Sequence, residues 1–294
     1  MYNKTDLKNK LESIHRKSYP AYKSLRGSYT FGDFVLSIDH VQGDPFAAPS
    51  SLHVELPLAK AGFPEKFFEG RHTKTALEDL ILRKFSRALD QYSFKAKGSG
   101  KSGLISTSRP GPEVMRRTAV EFTEKLLIVR FEVGFPANGR TINAQELEKI
   151  LLDFLPQIVK KCLYYQAWDK RLVQEGFELA ENQQTIREVL EERKLVAFCA
   201  NGSILPRKSG VSSQPLKDAV AFESPKSMEL AIDLPFGGSI FGMGIPEGVT
   251  LIIGGGYHGK STLLQALEQG VYNHVKGDGR EYVITRVNAL KLRA

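Results

Sequence analysis

A glycine-rich stretch late in the chain carries the residue types that bind the phosphates of a nucleotide. Residues 254–262 read GGGYHGKST and satisfy the pattern G-x-x-x-x-G-K-[ST]. Glycines allow a tight turn whose successive amide N–H groups point at phosphate oxygens. In such a loop Lys260 would neutralise charge on the β- and γ-phosphates, and the Ser261 hydroxyl would ligate Mg²⁺. The candidate nucleotide-binding residues are Gly254, Gly255, Gly256, Tyr257, His258, Gly259, Lys260, Ser261 and Thr262.

The residues on either side of this loop support the same interpretation. VTLII at 249–253 predicts a buried strand, and STLLQALEQG after the loop has the apolar spacing of a helix. A helix in this position presents its positive N-terminal end to the phosphates. The alternative is a glycine-rich turn with a chance Lys-Ser pair. For His258 we expect that only the backbone N–H faces the phosphate and that the ring points away; the alternative is a titrating group beside the anion.

A second Gly-Lys-Ser sequence, in GSGKSG at 98–103, lacks the leading glycine, because Lys95 stands at that position. We interpret residues 95–103 as a basic flexible loop, suited to the phosphates of nucleic acid more than to ATP. A solvated surface and ordinary core packing explain the neighbouring residues equally well. The side chains that would extend a nucleic-acid surface are Arg109, Arg116 and Arg117, with Tyr92 and Phe94 for stacking on bases.

Hydrolysis needs more than a phosphate-binding loop. It requires Mg²⁺, an oriented water and stabilisation of the developing charge, and in most P-loop proteins an apolar strand ending in Asp or Glu follows the loop. The only strand candidate after Ser261 is REYVITRVNALKLRA, which has no such ending. The sequence therefore predicts nucleotide binding and assigns no catalytic residue.

Alternating and helical patterns account for the first part of the chain. Leu7, Leu11 and Ile14 predict a short helix, and residues 28–42 and 51–56 alternate as a pair of strands around the turn QGDPFAAPS. A helix follows at about 74–92, and LLIVRFEV predicts a strand at 126–133. A long helix then begins with Asn143 and Glu146 as a capping box, and Pro156 is expected to kink it.

A change of composition near residue 195 predicts a domain boundary. A helical stretch ends near Lys194, and LVAFCANGS follows as strand and turn. Residues 201–225 are rich in Gly, Ser and Pro, and MELAIDL and FGGSIFGMGIPEG predict further short strands. We therefore expect an N-terminal α+β domain at 1–194 and the first part of an α/β P-loop domain at 195–294.

Composition and charge narrow the class of protein. Of 294 residues, 41% are hydrophobic and 25% charged, as in ordinary globular proteins. The net charge of +8 favours a polyanionic partner such as nucleic acid, although the basic residues are scattered along the chain. Cys162 and Cys199 lie in apolar runs without metal-site spacing, so buried free thiols in the cytoplasm are expected. The polar start and the absence of a long apolar run predict neither a signal peptide nor a membrane span.

Taken together, these motifs resemble the predicted ATPases of the ABC class, a bacterial family with relatives in trypanosome mitochondria. The resemblance covers the chain from about residue 25 onward. Its segments are RGSYTFGDFVLSIDHVQGDPFAAPS (26–50), GSGKSG (98–103), VGFPANGR (133–140), LVAFCANGSILPRKSG (195–210) and GMGIPEGVTLIIGGGYHGKSTLLQALEQGVYNHVKGDGRE (242–281).

The resemblance implies a family-specific N-terminal domain followed by the beginning of an ABC-type ATPase domain that binds ATP and Mg²⁺. It also implies that this chain corresponds to the first half of such a protein, with the signature, Walker B and switch segments beyond it. An aromatic residue upstream of the loop would stack on adenine, and Phe236 and Phe241 are the candidates. The trypanosome relative implies RNA binding and a homodimer for the full-length protein.

Three functional hypotheses remain open at this point. The first is an ABC-class ATP-binding protein that acts on or beside nucleic acid. The second is a nucleic-acid-binding module, formed by the region before 195, in which the P-loop has no catalytic use. The third is a small P-loop kinase, which we disfavour because the acceptor site and lid would have to fit into the residues after Ser261.

Overall fold

A computed structural model describes residues 2–292. The strands are β1 (Tyr2–Asn3), β2 (Gly27–Phe31), β3 (Phe34–His40), β4 (Ser50–Pro57), β5 (Ile105–Ser106), β6 (Glu113–Val114), β7 (Val120–Phe122), β8 (Leu126–Val133), β9 (Ala137–Asn138), β10 (Thr141–Ile142), β11 (Leu195–Ala200), β12 (Glu229–Leu234), β13 (Gly238–Pro246), β14 (Asn273–His274) and β15 (Val283–Thr285). The α-helices are α1 (Lys4–Ile14), α2 (Leu58–Ala61), α3 (Arg71–Tyr92), α4 (Ala144–Glu148), α5 (Leu155–Cys162), α6 (Lys170–Glu192) and α7 (Lys260–Gln269). None of the helices in residues 2–292 combines the length and apolar character needed to cross a bilayer.

The chain forms two compact units. One comprises Met1–Glu65, Glu78–Arg109 and Arg116–Lys170; the other comprises Lys66–Leu77, Pro110–Met115 and Arg171–Ala294. The first is an α+β unit and the second contains the P-loop, so the predicted order of fold classes is confirmed. The boundary near residue 195 stays a prediction.

A largely antiparallel sheet forms the centre of the first unit. Its strand order is β1-β2-β3-β4-β8-β5, with β7 also paired to β8, and only β1 and β2 run parallel. The predicted pairing around QGDPFAAPS is confirmed by the β3–β4 ladder, in which Leu36 faces Val54 and Ile38 faces Leu52. These side chains are buried because alternate residues of a strand point to the same face. The segment 28–42 contains two strands, since Gly32 at φ +71° permits a tight turn between Phe31 and Phe34.

The predicted capping box at the start of the long helix is wrong. The Asn143 side chain makes no cap hydrogen bond. The Glu146 carboxylate accepts a hydrogen bond from the Lys97 backbone N–H at 2.8 Å instead, and it also pairs with Lys149. Hydrogen bonds to this carboxylate lower the pKa of Glu146, although partial burial opposes the effect. Glu146 thus serves a tertiary contact that local sequence cannot show.

The irregularity expected at Pro156 takes the form of a π-helical segment. Residues Lys149–Phe154 are π-helical, and α5 resumes at Leu155 with the proline in its first turn. Proline lacks the N–H that would continue the α-helical hydrogen bonds, and the π-helical turn directly before it is one of the known ways a helix accommodates such an interruption. The predicted apolar face is retained, and Leu151, Ile158 and Cys162 are buried.

The loop 95–103 is tightly held, contrary to the predicted flexibility. Ser99 N–H donates to Ala137 O at 2.7 Å, and Lys101 N–H donates to Pro45 O at 2.8 Å. A Cβ on Gly103, at φ +80°, would lie 2.0 Å from Ala96 O. Close backbone packing therefore requires glycine at position 103. That packing explains a glycine that makes this segment resemble a phosphate-binding loop.

The second unit is built on a four-stranded sheet of order β12-β13-β11-β15, in which all neighbours are antiparallel. One face packs against α6 through Ile186 and Leu190, with Phe198, Ile232 and Ile284 from the sheet. The other face contacts α7 through Ala266. Buried polar side chains also attach α6: Asn182 donates to Phe236 O at 2.9 Å, and Gln183 donates to His274 O at 2.9 Å. Helix α6 is therefore an integral part of this unit.

Candidate nucleotide-binding site

The strand predicted at VTLII is wrong. After β13 ends at Pro246, residues 249–253 have no regular secondary structure, and the side chains of Val249, Leu251 and Ile253 are 101%, 78% and 78% exposed. A strand exists only where a neighbouring strand completes its hydrogen bonds. Within residues 2–292 this segment joins no ladder, so its β-forming composition is not expressed.

The glycine loop itself turns through backbone conformations that favour glycine. Gly254 has φ +151° and Gly259 has φ +80°, and Tyr257 between them is also left-handed at φ +60°. Helix α7 then begins at Lys260, and its N-cap residue Gly259 provides no side chain to occupy the first-turn N–H groups. The positive end of the helix therefore remains open to an anion at the mouth of the loop.

The ammonium group of Lys260 folds back across the loop. Its Nζ donates to Gly254 O at 2.6 Å and also to Gly255 O. Within the described chain the lysine makes no ion pair with a carboxylate, so no acid competes with a phosphate for its charge. Ser261 lies one residue into α7 and is exposed, and Thr262 follows it half-buried. A phosphate tail would replace two neutral carbonyl contacts of the lysine with charged ones.

The ring of His258 lies close to Gly254 and Gly255, the first two residues of its own loop. That the ring points away from a bound phosphate stays a prediction. A Cβ built on Gly255 would come within 3.2 Å of His258 Cε1, and one on Gly254 within 3.7 Å of Nδ1. The imidazole and the lysine therefore flank the same two peptide units. No sequence pattern indicates this placement, because the side-chain rotamer depends on the folded loop.

A groove of about 430 Å³ adjoins the loop. Its wall opposite the loop is apolar and includes Phe222, which is held by Gly202 N–H donating to Phe222 O at 2.8 Å and Phe222 N–H donating to Ser203 O at 2.9 Å. The lining residues are Leu205, Pro206, Val220, Phe222, Ile252, Ile253, Tyr257, His258, Gly259, Lys260, Thr262 and Leu263.

The two aromatic residues expected to stack on adenine do not line this groove. Phe236 packs against Phe177, with ring centroids 6.1 Å apart, and its backbone N–H donates to Asn182. Phe241 lies on β13 and is 54% exposed. Phe222 stands beside the loop in their place. Nothing in its local sequence, VAFESP, distinguishes it from a core phenylalanine.

Arg187 of α6 binds the far end of the P-loop helix. Its guanidinium donates to Gly270 O at 3.3 Å and to Val271 O at 3.2 Å, immediately after α7 ends. It also donates to Thr285 O at 2.8 Å and to Asn273 Oδ1 at 2.7 Å. Burial lowers the pKa of Arg187 to about 10, which leaves the group charged at neutral pH. A cation at the C-terminal carbonyls stabilises a helix, so Arg187 orients the element that carries Lys260.

A buried polar network supports the groove wall. Arg207 donates to Asp278 Oδ2 and to Asp278 O, each at 2.7 Å, and His274 Nδ1 lies 2.7 Å from the same carboxylate oxygen. Arg280 donates to Leu205 O at 3.0 Å through Nε. These bonds hold the chain at Leu205 beside the glycine loop. Sequence reasoning missed them because the four side chains come from two separate segments.

The residues proposed to extend a nucleic-acid surface are mostly engaged with acidic partners. Arg117 pairs with Asp79 at 2.8 Å and Arg109 with Asp90 at 2.6 Å. Arg116 pairs with Glu121 at 3.2 Å. The ring of Tyr92 packs on Phe154 with centroids 5.0 Å apart, whereas Phe94 is 53% exposed. Of the two proposed stacking residues, Phe94 alone presents its ring to solvent.

The described residues place no ready-made metal site near the loop. Across residues 2–292, no group of three or more His, Cys, Asp and Glu side chains is arranged to hold a metal ion. Cys162 and Cys199 are free and buried, as expected, and burial raises their pKa values to about 11 and about 12. The loop carries hydroxyl oxygens on Ser261 and Thr262, and oxygen is the donor type that Mg²⁺ prefers.

Comparison with known families agrees with this geometry. Residues 4–166 match the family described as ATPase of the ABC class N-terminal, and residues 169–294 match the P-loop domain of the ABC ATPase family. The chain belongs to the ATPases of the ABC class. An uncharacterized protein of Methanocaldococcus jannaschii is 38% identical over 112 residues, which cover 35% of this chain and 25% of that protein. The match thus spans about a quarter of the length of that relative.

Proposed function

We propose that the chain binds ATP with Mg²⁺ in the loop 254–262. The observation that carries the proposal is the ammonium of Lys260 above the loop, held only by the carbonyl oxygens of Gly254 and Gly255. The open N-terminal end of α7 supports it, since both groups attract the same anion. In this arrangement Lys260 contacts the β- and γ-phosphates and Ser261 ligates the metal ion. The glycines and the other residues of the loop contribute backbone N–H groups to the phosphates.

The nucleoside belongs in the groove beside the loop, where the half-buried Phe222 offers a ring for the adenine base. Lys260 and Phe222 both line the groove, so one ligand can contact both. Its volume of about 430 Å³ is within the range of small-molecule sites. Phe222 replaces Phe236 and Phe241 as the candidate for base stacking.

ATP hydrolysis is proposed for the whole protein and not for this chain alone. Residues 262–292 contain no apolar run that ends in Asp or Glu, and such a residue organises the metal and the attacking water in P-loop enzymes. The chain matches only a quarter of its archaeal relative. For the whole protein we propose a cytoplasmic homodimer, on the basis of the family resemblance.

Replacing Lys260 tests the nucleotide proposal. Lys260→Ala is expected to weaken binding of a fluorescent ATP analogue at least ~10-fold, because one charge-assisted contact to phosphate contributes about 1.5–3 kcal/mol. Lys101→Ala, in the other Gly-Lys-Ser sequence, is the matched control and should leave the affinity unchanged. Equal affinity of the Lys260→Ala variant and the unmodified chain would show that the loop is not a phosphate site.

A second candidate function, nucleic-acid binding, is favoured by one surface of the first unit. Phe94, which directly precedes the rigid loop 95–103, is 53% exposed, and Phe46, whose ring lies beside Gly100 of that loop, is 63% exposed. Lys101 is exposed within the loop, and Lys97 is exposed with its ammonium bonded to Phe94 O at 3.1 Å. Exposed aromatic rings beside lysines suit single strands, whose bases stack while the phosphates meet the cations.

Filter binding of a single-stranded RNA at two salt concentrations tests this second candidate. The affinity should fall steeply with salt. Phe94→Ala should lower the affinity without changing its salt dependence, whereas Lys101→Ala should reduce the salt dependence. The control is Lys226→Ala, an exposed lysine of the other unit, which should have no effect. RNA affinity that is insensitive to both loop variants would contradict the assignment of this surface.

A further inference from the structure

His258 belongs to the nucleotide motif, yet the pattern G-x-x-x-x-G-K-[ST] leaves its position open. The structure places its ring against the first two glycines of the loop. A Cβ on Gly255 would lie 3.2 Å from Cε1 and 3.5 Å from each ring nitrogen. Lys260 crosses the same two residues, since its Cδ would lie 3.8 Å from a Cβ on Gly254 and its Nζ donates to both carbonyl groups. The imidazole and the ammonium therefore share one location at the loop mouth.

We propose that His258 is a second side-chain donor to the phosphate tail and a specificity residue for triphosphate over diphosphate. This inference rests on the proposed function. An incoming phosphate competes with the carbonyl oxygens of Gly254 and Gly255 for the lysine, so the tail comes to lie beside those two residues. A ring N–H in contact with the same residues is then within reach of a phosphate oxygen. A longer and more highly charged tail gains more from that donor than a shorter one.

The surroundings of the ring leave its charge available to the ligand. The loop side of the groove contributes Tyr257 and Lys260, and the opposite wall contributes only apolar side chains, Leu205, Pro206, Val220 and Phe222. The charged residues directly next to these wall residues in sequence are Arg207, which is held by Asp278, and Glu223, which is exposed. No carboxylate is among the groove-lining residues, so a phosphate is the anion that an imidazolium at His258 would meet.

A purely structural role makes a different prediction. If the ring only filled space over the glycines, its removal would disturb the loop for every nucleotide alike. A donor role makes the loss depend on the ligand, because only contacts with the tail are removed. A donor role also makes the loss depend on pH, because a protonated ring carries a second N–H and a positive charge, whereas a packing role is unaffected by protonation.

The experiment compares the unmodified chain with His258→Asn, His258→Ala and Lys260→Ala, each checked for native circular dichroism. The affinities for ATP and ADP are measured by calorimetry at about pH 6 and about pH 8, at fixed Mg²⁺. His258→Ala should lose about 10-fold in ATP affinity and about 3-fold or less in ADP affinity at the lower pH. The loss should shrink at the higher pH. The amide of His258→Asn can still donate one hydrogen bond, so this variant should lose less ATP affinity than His258→Ala. Its ATP affinity should depend on pH no more than that of His258→Ala does.

Comparison at each pH cancels the titration of the nucleotide itself, because every variant binds the same ligand. Equal losses for ATP and ADP at both pH values would overturn the inference. One possible result is that the unmodified chain binds ATP and that Lys260→Ala weakens this binding whereas His258→Ala does not. In that case this inference fails and the proposed function stands. If the unmodified chain binds neither nucleotide, the proposed function fails as well.

Discussion

Replacing Arg187 with methionine removes the guanidinium that closes the C-terminal end of the P-loop helix. Methionine keeps much of the length and apolar stem of arginine and donates no hydrogen bond. The change leaves four acceptor oxygens without this partner, those of Gly270, Val271, Asn273 and Thr285. Gly270 O retains the N–H of Thr285 at 2.9 Å. Three acceptors therefore lose the donor and have to be satisfied by water or remain unpaired.

The size of the effect follows from those three acceptors. A buried polar group left without a partner costs about 1–3 kcal/mol, and neighbouring losses add incompletely. Taking the lower end for each acceptor gives about 3 kcal/mol, which corresponds to roughly a 100-fold change in an opening equilibrium. The cost falls on the local stability of α7 and the residues that follow it, because the lost bonds attach that segment to α6.

Hydrogen exchange measured by mass spectrometry reports this local stability. Peptides covering residues 260–275 of Arg187→Met should exchange about 100-fold faster than in the unmodified chain, in line with the free energy above. Arg193→Met, one residue beyond the end of the same helix, is the matched control, since its guanidinium makes an exposed bond to Ala231 O at 3.0 Å. It should change exchange less than ~3-fold. Unchanged exchange of α7 in Arg187→Met, or an equal effect of the control, would refute the role given to Arg187.

Three further predictions test other parts of the structure. A chain that begins at residue 195 should lose its cooperative thermal transition in circular dichroism, whereas a chain that begins at residue 169 should keep it. The reason is that Asn182 and Gln183 donate hydrogen bonds to the rest of the second unit. Equal transitions of the two chains would contradict this prediction. Gly103→Ala should destabilise the chain by more than ~2 kcal/mol in urea, since the new Cβ would lie 2.0 Å from Ala96 O; a cost near zero would show that the loop yields. Burial raises the pKa of Cys162 to about 11 and that of Cys199 to about 12, whereas a thiol of the unfolded chain has a pKa of about 8.5. Above about pH 8.5 the folded chain therefore holds more protons than the unfolded chain. The free energy of unfolding should therefore fall between about pH 8.5 and 11, and less steeply in Cys199→Ala; an identical slope would argue against a buried, protonated thiol.

Local pattern was sufficient where a segment's own periodicity decides its structure. The apolar spacing of α3 and the alternation of β8 predicted both elements within a few residues. The same holds for α7 after the glycine loop. In α3 and β8 the side chains that repeat on one face are the ones buried, so the energetic reason for the element is present in the segment itself. In α7 Ala266 is buried, whereas Leu264 of the apolar repeat is 49% exposed.

Prediction failed where the deciding partner is distant in sequence. VTLII has the composition of a strand, but a strand needs a neighbour, and residues 2–292 supply none at that place. Glu146 fits a capping box, but the backbone N–H of Lys97 competes for its carboxylate. The loop 95–103 reads as flexible, but contacts with Pro45 and Ala137 hold it. Each of these outcomes depends on an interaction that forms only after the chain has folded.

The same distinction applies to the candidate site, where some features follow from the local sequence and others from the tertiary structure. By itself, the sequence determined the phosphate loop, its lysine and its serine, because the backbone requirements of that loop are local and restrict which residues can serve. Only the tertiary structure decided that Phe222 lines the groove, that the ring of His258 lies on the loop and that Arg187 binds the far end of the helix. The placements of Phe222 and Arg187 arise from packing between segments far apart in the chain, and that of His258 arises from the rotamer that its side chain takes in the folded loop. No pattern within a short window of sequence records either effect.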